Sequence, residues 1–179
     1  VWVEGDEIST EAQLSYYMVI KGGRWAIKSG TTATSASDVA ISGVGVGTPV
    51  GGIVVSAMKP KSVLDTADND AGLSVGVFDS PTSRYALGSF QKDNLATTAM
   101  ANAVQHDEVY VNVTEAGSVV GLMDVKTIDS DGVTFTMDDA DPTGSFFFVI
   151  FAGSSSTGPP PTFDQFNLTI PQVVDEGHK

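Results

Sequence analysis

The feature that most constrains the fold is an uninterrupted apolar run, FFFVIFA, at residues 146–152. An acidic loop precedes it and Gly153 follows it. A membrane-spanning helix needs roughly 20 apolar residues, so the run is too short to cross a bilayer and has the length of a buried strand. A strand in which apolar and polar residues do not alternate is shielded from water on both faces. Two interpretations are open: a second sheet on one face with a neighbouring subunit or loop on the other, or burial inside one subunit.

Runs of strand length recur along the rest of the chain, with turn residues between them. Charged residues make up only 17% of the chain and 19 residues are Gly, a composition that favours β-structure over a helical bundle. The pattern predicts an all-β fold, an antiparallel β-sandwich or jelly roll. The predicted strands are residues 1–4, 14–21, 24–28, 38–42, 52–58, 73–78, 84–90, 98–104, 108–113, 118–126, 133–137, 145–152 and 163–170.

Two hairpins are predicted from their turn residues. DSDG at 129–132 joins two predicted strands, and we expect Gly132 to supply a positive φ there. SPT at 80–82 predicts a second tight turn. Residues 94–105 contain helix-forming Ala and Met, but their β-branched residues favour a strand.

Charge and cysteine content exclude several classes of protein. The net charge is −13 and the chain has only nine Lys and Arg, so it lacks the basic stripe that binds nucleic acid. It has no cysteine, which excludes disulfides and thiolate metal sites. No apolar stretch approaches the length of a membrane span, so neither nucleic acid nor a membrane is an expected partner.

Part of the closing run is repeated near the start of the chain. VIKGG at 19–23 aligns with VIFAG at 149–153 at an offset of 130 residues, and 39–41 aligns with 168–170 at an offset of 129. Such spacing indicates an internal repeat. Chance similarity between apolar strands is the other interpretation.

The segment SSSTGPPP at 154–161 indicates a domain boundary, because consecutive prolines cannot join a sheet interior. We therefore expect three parts. Residues 1–23 hold N-terminal strands that form an arm or the end of a preceding unit, 24–153 form the β-sandwich body, and 154–179 are a Pro-rich linker with a C-terminal strand or arm.

Two acidic loops are candidate cation sites, because Ca²⁺ prefers several oxygen ligands from such loops. The first provides the candidate ligands Asp65, Asp68 and Asp70, and the second is rich in acids over 138–141. Neither has the spacing of an EF-hand, and a solvated acidic loop is the alternative. No other cofactor is indicated.

Catalytic signatures are lacking in the sequence. The two histidines, His106 and His178, have no second nitrogen ligand nearby, and no Gly-x-Ser-x-Gly elbow occurs. We therefore predict that the protein is not an enzyme. Trp25, Tyr85 and Tyr110 are candidate glycan-binding platforms, although such residues also serve as half-buried anchors.

Three stretches carry a resemblance to a known group of proteins: ISGVGVGTPVGGIVV at 41–55, TIDSDGVTFT at 127–136 and FVIFAG at 148–153. Within residues 38–153, they resemble a β-rich module of virion and tail-associated structural proteins of tailed bacteriophages. The sequence departs from that module at TPVGG, residues 48–52, which puts the register of this hairpin in doubt.

The resemblance implies a virion structural protein, such as a capsid decoration, fibre or tail component, which acts by assembly and surface display. The uninterrupted apolar run and the low charge fraction predict a homo-oligomer, and the resemblance favours a trimer. The resemblance also implies other virion proteins as partners and a host-surface glycan as a further ligand. It brings no catalytic residues. The alternative hypothesis is a carbohydrate-binding β-sandwich module of a larger surface or secreted protein, located outside the cell or at its surface.

Overall fold

A computed structural model describes residues 23–64, 70–92 and 99–153. Within these residues the chain forms ten β-strands in two antiparallel sheets that pack together, with a single 3₁₀ turn at Lys61–Val63. The predicted all-β sandwich is confirmed. The predicted strands at 1–4, 14–21 and 163–170 lie outside the described residues, as do the proposed linker and most of the proposed repeat.

The ten strands match, within a few residues, the ten that the sequence predicts for this part of the chain. They include a strand rather than a helix before Gln105. Their bounds are β1 (Arg24–Thr31), β2 (Asp38–Ser42), β3 (Pro49–Ser56), β4 (Asp70–Ser80), β5 (Ser83–Lys92), β6 (Ala99–Gln105), β7 (Tyr110–Val113), β8 (Val119–Asp129), β9 (Gly132–Asp139) and β10 (Phe146–Gly153).

The six-stranded sheet has the order β1-β10-β3-β4-β5-β6, and the four-stranded sheet has the order β2-β9-β8-β7. β1 pairs with β10 in the first sheet, and β2 pairs with β9 in the second. The first two strands of the described body are therefore joined to its last two strands across both sheets. β1 begins at Arg24 and β10 ends at Gly153, where the described residues also end, so the predicted limits of the body stay a prediction.

Both predicted hairpins are present. Asp129 pairs with Gly132 at the β8–β9 turn, and Ser80 pairs with Ser83 at the β4–β5 turn. The reason given for Gly132 is wrong, because its φ is not among the positive values. A Cβ at Gly132 would overlap the carbonyl oxygen of Ile41 on β2. The glycine is needed for the close approach of two strands rather than for the turn.

Aromatic rings from both sheets meet in the core. The Phe135 ring, on β9, lies edge-to-face with Phe78 on β4 and with Phe147 on β10, at centroid distances of 5.9 and 6.0 Å. Phe78 also lies 6.4 Å from Phe151. Edge-to-face contacts at such distances add to the energy gained by burial. These rings hold the two sheets together.

β7 is the strand on which the two sheets come closest, and all four of its residues are buried. A Cβ at Gly76 would overlap the carbonyl oxygen of Val109, and one at Gly88 would lie 2.8 Å from the oxygen of Val111. The glycines on β4 and β5 therefore allow the backbone of β7, and of Val109 just before it, to lie directly against the six-stranded sheet.

The apolar run forms β10, the second strand of the six-stranded sheet. Phe147, Val149 and Phe151 are fully buried against the four-stranded sheet, and Phe148 on the opposite face is 36% exposed. The described chain leaves most of that opposite face uncovered, and Lys61 lies over it at one end, with Nζ 5.5 Å from the centre of the Phe146 ring. The described residues of one subunit therefore do not bury the outward side chains of the run. Coverage of these side chains by a neighbouring subunit or by a loop stays a prediction.

Candidate interaction face

The outer face of the six-stranded sheet, meaning the side turned away from the four-stranded sheet, carries most of the exposed large hydrophobic residues of the described body. Directly paired residues of antiparallel strands point to the same side, so the strand registers define rows of side chains across it. One row consists of Ile27, Ile150, Ile53, Val77 and Tyr85. The next begins with Ser29 on β1 and continues through Phe148, Val55, Val75, Leu87 and Val104.

Several side chains of the outer face are strongly exposed. Ile27 is 67% exposed, Val104 is 59% exposed and Leu87 is 48% exposed. Leu73 and Met100, on the same face, are 49% and 65% exposed. Single exposed apolar residues are common on soluble proteins, but contiguous patches of this kind mark interaction surfaces.

The outer face is also almost free of charge. Among the described strand residues that point outward from the six-stranded sheet, Asp79 alone is charged, and it lies near the end of β4. In a chain with a net charge of −13, the charged groups at this face are therefore few: Asp79 and the Lys61 side chain that lies over the Phe146 ring.

The opposite surface of the sandwich, the outer face of the four-stranded sheet, is polar. It carries Asp38, Lys126, Thr127, Asp129, Thr134, Thr136 and Asp138. Lys126 Nζ donates to Asp38 Oδ2 at 2.7 Å, and this hydrogen bond lowers the pKa of Asp38. Thr134 Oγ1 donates to Asp129 Oδ2 at 2.9 Å. The polar face has the composition of a solvated sheet surface.

The three aromatic residues predicted to bind glycans do not converge. Tyr85 lies on the outer face, 53% exposed, with its ring edge-to-face against His106 at 5.7 Å. Trp25 is half-buried on β1, four strands from β5, which corresponds to roughly 19 Å. Tyr110 is fully buried in the core, where a sugar has no access to its ring.

The candidate calcium ligands are only partly described, since Asp65 and Asp68 lie outside the described residues. Asp70 is the first residue of β4, and its main-chain oxygen accepts a 2.5 Å hydrogen bond from Lys59 Nζ. In the described part of the chain, no three or more His, Asp or Glu side chains are grouped to hold a metal ion.

Asp141, from the second acidic loop, is fully buried and serves as a structural hydrogen-bond acceptor. Oδ2 accepts from Thr32 Oγ1 at 2.6 Å and from the Tyr110 hydroxyl at 2.8 Å, and Oδ1 accepts from Asn112 Nδ2 at 2.9 Å. The main-chain nitrogens of Thr143 and Ser145 also donate to it. Burial raises the pKa of Asp141, but the hydrogen bonds together outweigh burial and hold it below its ordinary value.

A second buried carboxylate, Glu108, lies in the turn before β7 and is 4% exposed. Burial, with the negative charges of Asp138, Asp124 and Asp107, raises its pKa to about 8, against the opposing effect of Arg84. Arg84 Nη2 donates to Asp124 Oδ2 at 2.7 Å. Among the described residues, Glu108 Oε2 has no hydrogen-bond partner. Glu108 is therefore largely protonated at neutral pH.

A cavity of about 300 Å³ opens where the segment after β3, with β4 and β5, faces the end of β7 and the residues that follow it. Met58 lines the cavity. Its backbone φ is 54°, and among the described residues it is the one non-glycine residue with a positive φ. Its polar lining residues are already engaged, Asn112 with Asp141 and Glu115 with Lys92. The cavity therefore presents no convergent polar groups for chemistry.

Comparison with known proteins found no relative: no protein-family model matches the chain, and neither the curated proteins nor the solved structures gave a match. Within the described residues, no helix has the length and apolar character to span a membrane.

Proposed function

We propose that the protein is a structural protein of a virion, such as a capsid decoration, fibre or tail component, and that it acts by assembly and surface display. The observation that carries the proposal is the contrast between the two outer faces of the sandwich. One is apolar, exposed and nearly uncharged, and the other is polar and acidic. A protein that acts by assembly needs a surface to bury and a surface to leave in solvent.

The residues with unusual chemistry support a role without catalysis. Asp141 is fully engaged by donors from three segments, and Arg84 is paired with Asp124. His106, the histidine among the described residues, lies against the Tyr85 ring. A catalytic site brings such groups together in an accessible cleft, whereas these groups hold the fold together or lie singly on its surface.

The assignment to a virion rests on the sequence resemblance over residues 38–153. It is tested by quantitative mass spectrometry of purified particles from the host that carries the gene. The expected result is a copy number in fixed ratio to the major capsid or tail proteins. Absence of the protein from particles that contain every other structural component would contradict the proposal.

Glycan binding is a second candidate function, favoured by the exposed ring of Tyr85 beside His106. Aromatic rings on an exposed sheet face stack on the apolar faces of sugars, so a binding site here would centre on Tyr85. A glycan array with wild type, Tyr85→Ala and Trp25→Ala separates the possibilities. Binding that is lost with Tyr85→Ala and kept with Trp25→Ala would support this function, and no binding by wild type would reject it.

A further inference from the structure

We infer that the outer face of the six-stranded sheet binds a second copy of this chain. The inference rests on the proposed assembly function and names its interface. The face consists of the two apolar rows described above, flanked by Leu73 and Met100.

The composition of the face argues that it is covered in the working protein. In an antiparallel sheet with one solvated side, apolar and polar residues alternate along each strand, as they do on β2 and β9. On β4 the residues Leu73, Val75 and Val77 point outward, where this rule expects polar side chains. Apolar side chains also point outward along β10 and at Tyr85 and Leu87 of β5, so the pattern extends across several strands of the face.

Charge favours a second copy as the occupant. A basic partner would be drawn to the acidic groups of the polar face, such as Asp38, Asp129 and Asp138, and gains nothing from the outer face. Two copies that each carry −13 repel each other wherever their acidic surfaces meet. The outer face, with Asp79 near its border, is the described surface on which two copies meet with the least repulsion.

The size of the face also fits. Six strands span roughly 25 Å, and the rows from Ile27 to Met100 extend roughly 20 Å along the strands, which gives about 500 Å² in projection. Two copies would bury about 1,000 Å², which is above most crystal-packing contacts and in the range of weak or transient biological interfaces. Sheets stack face to face at about 10 Å, the distance that side chains of this size fill.

Cysteine labelling tests the inference, because the chain has no native cysteine. Val77→Cys places a thiol near the middle of the outer face, and Ala40→Cys places one on the polar face, where Ala40 is exposed. Each full-length variant is labelled with a maleimide over a range of protein concentrations, and its mass is followed by sedimentation velocity. Circular dichroism establishes that both variants keep the β-fold.

We expect labelling of Val77→Cys to slow roughly fivefold or more once the protein associates, because the rate follows the fraction of free copies. Labelling of Ala40→Cys should not change. A Val77→Cys variant that reacts equally fast in the monomer and in the oligomer would overturn the inference. So would a protein that stays monomeric at every concentration.

Slow labelling in the monomer itself would show that the face is covered within one copy, which also rejects a second copy as the occupant. The outcome is independent of the particle experiment. If the protein associates through this face but is missing from purified particles, the virion role is rejected and the interface is kept. A particle component whose outer face stays reactive after association would reject the interface alone.

Discussion

The Tyr110 hydroxyl lies 2.8 Å from Asp141 Oδ2, with both side chains fully buried. Tyr110 begins β7, and Asp141 lies in the segment that leads from β9 into β10. The pair therefore ties the edge of the four-stranded sheet to the strand that crosses into the six-stranded sheet. Thr32, which follows β1, donates to the same carboxylate oxygen.

Tyr110→Phe removes the phenol donor and leaves Asp141 with one hydrogen bond fewer in a buried site. We expect a loss of about 1–3 kcal/mol in the free energy of unfolding, the range for a hydrogen bond to a buried charged group. Urea denaturation followed by circular dichroism measures it. Tyr85→Phe is the matched control, since Tyr85 is 53% exposed, and an equal loss in both variants would contradict the role given to Tyr110.

Asp141→Asn should destabilise the fold at pH 7 and matter less in acid. The pKa of Asp141 lies below its ordinary value of 3.8, so its stabilising contribution is present above that pH and is lost as the pH falls through the folded-state pKa. We expect a loss of about 3 kcal/mol at pH 7. The difference from wild type should shrink once both side chains are uncharged, and an equal difference at pH 7 and pH 2 would refute this assignment.

The sequence predicted the strands of the described body but not the Asp141 cluster. Strand positions follow from local apolar runs and turn residues, which each strand carries by itself. The cluster joins residues about 30 to 110 positions apart, as with Asn112 and Thr32 around Asp141, so no local pattern announces it. Aspartates in a turn are ordinarily solvated, and only the packed structure shows that Asp141 is buried.

Glu108 should make the fold less stable as the pH rises. Its pKa of about 8 in the folded state, against 4.5 as the ordinary value, means that the folded state holds the proton more tightly. Stability is therefore greatest below pH 4.5 for this group and declines up to about pH 8. The total effect is at most about 5 kcal/mol.

Thermal unfolding of Glu108→Gln between pH 5 and pH 9 measures the effect of Glu108. The variant should lose much of the decline seen in wild type, because glutamine keeps the shape of the neutral acid. Glu115→Gln, which alters a surface carboxylate paired with Lys92, is the control for the loss of one negative charge. If both variants show the same pH profile, Glu108 is not the responsible group.

Salt should strengthen self-association. Two copies with a net charge of −13 repel each other, and the proposed interface itself carries almost no charge to be screened. Raising the ionic strength shortens the Debye length from about 10 Å at 0.1 M to about 3 Å at 1 M. Sedimentation equilibrium should therefore give a lower dissociation constant at the higher salt. A constant that rises with salt would indicate ionic contacts instead.

The orientation of each strand was harder to predict than its position. FFFVIFA at 146–152 and LSVGV at 73–77 lack a clear polar face, and period-two alternation is the signal that tells the inside from the outside of a sheet. Only the pairing register shows that Phe147 and Gly76 face the core while Phe148 and Val77 face outward. Strands with apolar residues on both faces still carry information about function. Their outward apolar side chains mark the sheet face that we expect a partner to cover.

The central claim, assembly through the outer face, is tested most directly by sedimentation velocity of the full chain at micromolar concentration. Wild type should sediment as an oligomer. Leu87→Lys places a charge in the second apolar row, where desolvation in a closed interface would be costly, and it should sediment as a monomer. Ala40→Lys, the matched change on the polar face, should match wild type. A monomeric wild type, or an oligomer that Leu87→Lys leaves intact, would contradict the account.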